Sequence, residues 1–438
     1  MRHCVRHNMR HCACKYKLKP LLLVISKISM GDIKHDISRD TIDRGEDVGM
    51  MEPTLLAEGS RFRRDLTDLA LELVSRSAGF RRSLPPGIVT ALANLVRSMN
   101  CYYSNLIEGH DTHPIEIERA LKNEYSQDTR KRNLQLEAKA HIQVQRWIDS
   151  GHLRGHATTR AGLTEIHRRF CVELPEELLW VEDPETHERL RVVPGELRQR
   201  DVRVGRHIPV SPGAVPRFFD RFENVYSRLG KTESILAAAA AHHRFAWIHP
   251  FLDGNGRVVR LMSHATLLET LETGALWSVA RGLARRVETY KELLANCDRG
   301  RRNDLDGREP LSEEVLVAFT RFFLETCLDQ ITFMENLVQP EVLRHRILGW
   351  AEGQMRHKAL PANTGKLLEA VLYRGELPRA EVADVLHVGV RQGQRIVAEL
   401  VKANVLVPDD SRAPLRIAFP ATLASQWMPG LFPEKPSG

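Results

Sequence analysis

Apolar residues recur at helical spacing along most of the chain, and that period predicts a mainly α-helical protein. Leu66, Leu69, Leu71 and Leu73 begin the pattern. It breaks at Leu84-Pro85-Pro86-Gly87 and resumes through Ile88, Leu92, Leu95 and Met99. Further helices are expected over 114–121, 130–147 and 161–180, then from Val215-Pro216 through Phe218, Phe219 and Phe222. Residues 233–247 form an alanine-rich helix whose five successive alanines predict close packing at the centre of the fold. Helices over 257–268, 285–295 and 311–328 complete this part. Between 188 and 210 the period changes. Leu190, Val192 and Val193 precede Pro194-Gly195, and Val202 and Val204 alternate with charges, which reads as a β-hairpin or short extended flap.

Residues 339–362 bridge to a different module. One helix is expected over 365–373, a second opened by Pro378 and ending near His387-Val388-Gly389, and a third over 390–403. The third places Ile396, Val397 and Leu400 on one face and Arg391, Gln392, Gln394 and Arg395 elsewhere. Two short strands, Val405-Leu406-Val407 and Leu415-Arg416-Ile417-Ala418, follow. Three helices and a two-stranded wing predict a winged helix-turn-helix. Such a module contacts DNA when its third helix enters the major groove, here through residues 378–418, or serves dimerisation or protein contact.

Composition adds little. The chain has 438 residues, enough for two or three domains, with 42% hydrophobic and 27% charged positions. Its net charge of +7 equals the seven Lys and Arg of residues 1–27, which carry no acid, so the body is neutral and its charge names no partner. Cys4, Cys12 and Cys14 cluster at the start, while Cys101, Cys171, Cys297 and Cys327 are scattered. That odd count predicts a reducing compartment. With no long apolar run, the chain is read as cytoplasmic. The near repeat Met1-Arg2-His3-Cys4 and Met9-Arg10-His11-Cys12 fits no metal-ligand spacing. Residues 1–50 are read as a disordered extension, or as preceding a true start near Met50 or Met51.

The chemistry concentrates in His249-Pro250-Phe251-Leu252-Asp253-Gly254-Asn255-Gly256-Arg257-Val258-Val259-Arg260. Gly254 and Gly256 bracket Asn255 where a helix begins, so backbone N–H groups can converge on an anion and the helix dipole favours phosphate. Asp253 offers hard oxygens for Mg²⁺, which commonly shares its shell with phosphate. Arg257 and Arg260, one turn apart, can fork onto further phosphate oxygens. His249 can accept a proton near neutral pH.

This string resembles the signature of the Fic family, H-x-F-x-[DE]-G-N-G-R-x-x-R, at every fixed position. The resemblance covers roughly residues 90–330. It implies a Fic-type helical core with a β-hairpin flap that aligns a target segment, and transfer of AMP from MgATP to a protein Ser, Thr or Tyr hydroxyl, self-modification included. His249 would be the base, Asp253 would hold Mg²⁺, Phe251 would anchor the loop, and Gly254, Asn255, Gly256, Arg257 and Arg260 would bind the phosphates. Tyr290 lies where such proteins place an aromatic side chain against adenine, with core packing as the equal alternative. Ser104-Asn105-Leu106-Ile107-Glu108-Gly109 resembles the inhibitory motif [ST]-x-x-x-E-[GN]. By that resemblance Glu108, steadied by Ser104, would pair with Arg260 and block the γ-phosphate. The winged helix is similar to C-terminal extensions of some Fic proteins.

The domain reading is then 1–50 as extension, 51–150 as the helical region carrying the inhibitory motif, 151–335 as the catalytic core, 345–420 as the winged helix-turn-helix and 421–438 as a tail. Another nucleotide donor, removal of AMP, or DNA-binding regulation are the alternatives, and a homodimer is left open. His242 and His243, outside the signature, are read as structural or solvated.

Overall fold

Pro punctuation and apolar spacing divide the computed structural model, which describes residues 41–183, 186–408, 410 and 413–433, into helices and four short strands. α1 (Arg63–Arg82) and α2 (Pro86–Ile107) flank the expected break. Pro86 takes the first-turn position, where its missing N–H is no loss. α3 (Pro114–Leu121), α4 (Thr129–Asp149) and α5 (Arg160–Val172) follow. α5 stops well short of residue 180 because Pro175 cannot continue a helix. The chain then turns into β1 (Trp180–Glu182), which pairs antiparallel with β2 (Arg189–Arg191) through Val181↔Leu190.

The hairpin therefore begins before the expected 188–210 stretch, and only its second strand falls within it. Beyond Pro194-Gly195 the chain pairs only at an isolated bridge, Val204↔His207. The carbonyls that would have built a ladder go to one side chain: Arg198 donates to Arg200 O at 3.0 Å and to Val210 O.

α6 (Val215–Tyr226), α7 (Lys231–Ile248) and α8 (Asn255–Leu271) form the centre. α7 carries the alanine run, and Ala237, Ala238, Ala239, Ala240 and Ala241 are all buried. With so little side chain to separate them, α8, α6, α1 and α11 (Glu313–Leu337) all pack on α7. Residues 257–265 of α8 are buried on every face, as in a core helix. Between α8 and α11 lie α9 (Val279–Arg285) and α10 (Val287–Asn296), of which α9 was not expected. His242 and His243 are core residues, bonded to Ser263 Oγ at 2.8 Å and Asp298 Oδ1 at 2.9 Å.

The stretch read as a bridge contains α12 (Pro340–Arg356), with Leu343, Ile347 and Ala351 buried at a spacing of four. α13 (Thr364–Arg374), α14 (Val382–Leu386), α15 (Val390–Lys402), β3 (Leu406–Pro408) and β4 (Leu415–Ile417) follow in the expected order. β3 and β4 pair antiparallel, and Leu377 adds a further bridge to Leu415. α16 (Ala424–Trp427) then leads back to α2, where Tyr103 Oη donates to Leu431 O at 2.9 Å.

Residues 41–50, expected in an extension, are part of the folded body. Ser211 N donates to Glu46 Oε1 at 2.7 Å, Arg217 Nη2 to Asp43 Oδ1 at 2.8 Å, and Arg44 Nη1 to Asp201 Oδ1 at 2.9 Å. The His/Cys-rich start lies outside the described residues. Among the described residues the four cysteines are buried thiols and no helix is long and apolar enough to cross a membrane.

Candidate active site

Pro250 ends α7 and disfavours the α conformation for the residue before it. His249, the C-cap, sits in the left-handed region (φ 49°, ψ 61°), with its N–H still bonded to Phe245 O at 3.0 Å. A non-glycine residue holds that conformation only where its surroundings fix it. Arg198 does so: its Nε donates to His249 O at 2.8 Å and its backbone N–H to Pro250 O at 2.9 Å. Across the loop, Asn255 Nδ2 donates to Phe251 O at 2.8 Å while its Oδ1 accepts from Phe251 N at 3.0 Å. Phe251 is buried and stacks on His167, ring centroids 4.0 Å apart and 2° from parallel. His167 in turn accepts from Gly195 N at 2.9 Å. Burial, and then the Arg198 charge, bring the His249 imidazole down to about 4, so it is neutral at physiological pH and able to take a proton.

Gly254 turns the chain into α8 at φ 81°, a conformation that favours glycine. α8 opens with no side-chain cap and no acid in its first turn. The anion comes from elsewhere. Glu108 is the C-cap of α2, where a carboxylate meets the negative end of a helix dipole. Its Oε1 lies 2.5 Å from Arg260 Nη2, and a Cβ on Gly256 would fall 2.2 Å from that same oxygen. The carboxylate thus stands over the first turn of α8, and only glycine at 256 leaves room for it. Arg260 Nε also donates to Ser104 Oγ at 2.8 Å, so Ser104 and Glu108 grip one guanidinium from the same helix end. Burial would raise the Glu108 carboxyl, but the Arg260 and Arg257 charges outweigh it and hold it below the usual carboxylate range.

Arg257 has other partners. It is ion-paired to Glu137 of α4, lies 3.3 Å from His110 Nδ1, and has its guanidinium carbon 5.2 Å from the Phe170 ring centroid. Burial would raise Glu137, yet the bond to His110 and the Arg257 charge lower it. The same bond raises His110. Arg257 Nε is buried without a partner among the described residues.

The structure therefore brings His249, Gly254, Gly256, Arg260, Ser104 and Glu108 around one turn of helix. Asn255 is at the same place, with its amide engaged in closing the loop. Asp253 is exposed beside the Gly254 turn. It suits Mg²⁺, which needs one or two carboxylates and takes the rest of its shell from water and phosphate. Among the described residues no larger group of metal-ligating side chains occurs. Tyr290 takes the packing alternative. It is buried, its hydroxyl is 2.8 Å from His242 Nε2, and its ring has no face open to an adenine. Four residues at the site escaped sequence reasoning: Arg198, Glu137, His110 and His167. No local pattern marks any of them, because each is defined by a partner far along the chain.

Residues 158–267 match the Fic/DOC family. The protein adenylyltransferases Fic of Drosophila erecta and Drosophila melanogaster are 27% and 29% identical over 169 residues, 38% of this chain. The matched region covers 31% of each relative's length, so the chain spans about a third of the curated relatives it matches. A Fic family protein from Desulfovibrio desulfuricans G20 superposes with a TM-score of 0.48 at 16% identity, covering 83% of this chain and 98% of that one. Fic-1 from C. elegans does so at 0.44 and 17%, covering 61% and 71%. The matched segment contains the loop from His249 to Arg260 but neither Glu108 nor the C-terminal helices. Residues 158–267 are thus similar to the Fic domain of the Fic/DOC family.

Proposed function

We propose that this protein transfers AMP from ATP to a Ser, Thr or Tyr hydroxyl of a protein, itself included, and that Glu108 restrains the reaction. The observation that carries the reading is the Glu108 carboxylate over Gly256 in the grip of Arg260. An anion already stands where a helix N-terminus and a buried guanidinium would receive a phosphate.

In the released state the phosphates lie along the first turn of α8, with Arg260 on the terminal phosphate and Arg257 at its side. Asp253 would hold Mg²⁺, which neutralises phosphate charge when bound. His249 takes the proton of the target hydroxyl. That oxygen forms a bond to the α-phosphorus as the bond from phosphorus to the bridging oxygen breaks, and pyrophosphate leaves. A neutral imidazole, fixed by Arg198 at the mouth of the loop, suits the role of base. Little covalent chemistry falls to the protein. Positioning and charge stabilisation do the rest, which fits a loop closed by Asn255 and seated on His167.

The test labels the full chain and a lysate with ATP carrying ³²P at the α or the γ position. Glu108→Gly is expected to raise α-label incorporation and His249→Ala to abolish it, with no γ-label retained. Retained γ-label, or labelling indifferent to His249→Ala, would overturn the assignment.

A further inference from the structure

α15 lies at the far side of the C-terminal helices from the Fic domain. It packs on α14 and β3, whereas β4 and α13 make the contacts to α2 and α12. A three-residue turn, His387 to Gly389, joins α14 to α15, with His387 left-handed at φ 53°. The β3–β4 pair, extended by Leu377, closes the unit behind α15. Gly393, Ile396, Val397 and Leu400 form the buried face of α15.

The outward face carries three cations and, one turn on from Arg395, the partly buried Glu399. Arg391, Arg395 and Lys402 are exposed, spaced by four and seven residues, with the small Ala398 between them. None of these three enters an ion pair or hydrogen bond among the described residues. No acid occupies the first turn of α15, although a cation there opposes the helix dipole. Arg391 and Arg395 also repel each other one turn apart. Glu399, the acid of α15, lies four residues on from Arg395 and offsets part of that repulsion. Arg379 shares a groove with Gln394 and Lys402, and its Nε is buried without a partner among the described residues. A row of exposed cations on a helix that stands clear of the body suits an anion with charges in a row.

We propose that α15 is the recognition helix of a winged helix-turn-helix that binds duplex DNA, with Arg391, Arg395 and Lys402 on phosphates and Gln392 and Gln394 beside base edges. The proposal is independent of adenylyl transfer and uses none of its residues.

The test is fluorescence anisotropy of the full-length chain with a labelled 24-base-pair duplex of mixed sequence in 50 to 200 mM KCl. Three phosphate contacts predict a loss of about 40-fold in affinity over that range, since each contributes about 0.9 to the log–log salt slope. R391A/R395A/K402A is expected to weaken binding at least tenfold at 50 mM and to flatten the slope by up to about 3. All three side chains are exposed, so the variant should keep its melting temperature and its self-labelling rate. No duplex binding at tens of micromolar protein in 50 mM salt would overturn the proposal. So would binding unchanged in the variant, or equal affinity for a single strand of the same length.

Discussion

Removing Glu108 tests the site most directly, because two effects of opposite sign act on one guanidinium. In the resting protein Arg260 is almost wholly buried, with 3% of its side chain exposed, while Glu108 keeps 33%. Two unit charges 4 Å apart interact by about 1 kcal/mol in water and about 4 kcal/mol at an effective dielectric of 20. Desolvation reduces that gain, and a pair with one member a third exposed falls between these limits, at about 1–3 kcal/mol. An incoming phosphate must displace the carboxylate before it can use Arg260. Glu108→Gly should therefore strengthen productive ATP binding about 5- to 150-fold. Glu108→Gln keeps the shape and one acceptor oxygen but no charge, and should fall between the two.

The assay is the initial rate of α-label incorporation against ATP concentration, with ATP affinity measured separately by calorimetry on a His249→Ala background. Wild type, Glu108→Gln and Glu108→Gly should rank in that order in both. The apoprotein should melt lower in Glu108→Gly, since Arg260 is left with Ser104 alone, and saturating MgATP should close that gap. A Glu108→Gly rate within threefold of wild type, or an ATP affinity unchanged across the series, would show that Arg260 is not the contested group.

Three further outcomes follow from the same geometry. Arg198→Ala removes donors from several carbonyls, His249 O among them. It should lower kcat for labelling at least 100-fold in the Glu108→Gly background while ATP affinity stays within about threefold, and Arg198→Lys should not rescue because one ammonium cannot replace the fork. Gly256→Ala should destabilise the wild type more than it does Glu108→Gly, because the carboxylate that its Cβ would meet at 2.2 Å is then gone. A double-mutant cycle on melting temperature reads this, and additive effects would count against the observed approach. Burial, the largest cause in each case, depresses five imidazoles: His141 and His242 to about 3, and His167, His243 and His249 to about 4. Their folded values lie below the unfolded one. The stability they allow is therefore complete above pH 6.5 and falls as pH drops from there towards 4, each contributing up to about 1.4 kcal/mol per pH unit. Melting scans from pH 8 to 4.5 should show that decline, and His242→Gln should flatten it if the variant remains folded.

How much of this was legible in the sequence depended on distance along the chain. The loop from His249 to Arg260 was readable because its parts are contiguous: Pro250 stops one helix, Gly254 starts the next, and the arginines follow one turn apart. α7 was readable because its alanines are consecutive. α12 was passed over although Leu343, Ile347 and Ala351 recur every four residues, since charged positions crowd the intervals. The flap was misplaced because Val202 and Val204 alternate as strand residues do. The alternation could not reveal that carbonyls of that stretch are bonded by Arg198, whose burial comes from the tertiary fold. Tyr290 illustrates the same limit: its place after the signature could not show that it packs in the core against His242.

The two signature arginines, equivalent in the sequence, are not equivalent in the fold, and that difference bears on the proposed restraint. Arg257 is paired with Glu137, which sits within α4 with 8% of its side chain exposed and is held by His110 as well. Releasing that pair would leave a buried carboxylate inside a helix, which is costly. Arg260 is paired with Glu108, the C-cap of α2, a third exposed, at a helix end where a carboxylate is intrinsically unfavourable. Moving Glu108 needs only the terminal turn of one helix to shift, and it places the carboxylate in water. A phosphate arriving at α8 can thus displace Glu108 from Arg260 without disturbing Arg257. On this reasoning Glu137→Gln should impair folding, whereas Glu108→Gln should alter activity in a protein that still folds. Equal loss of soluble protein from both variants would remove the distinction between a structural pair and a regulatory one.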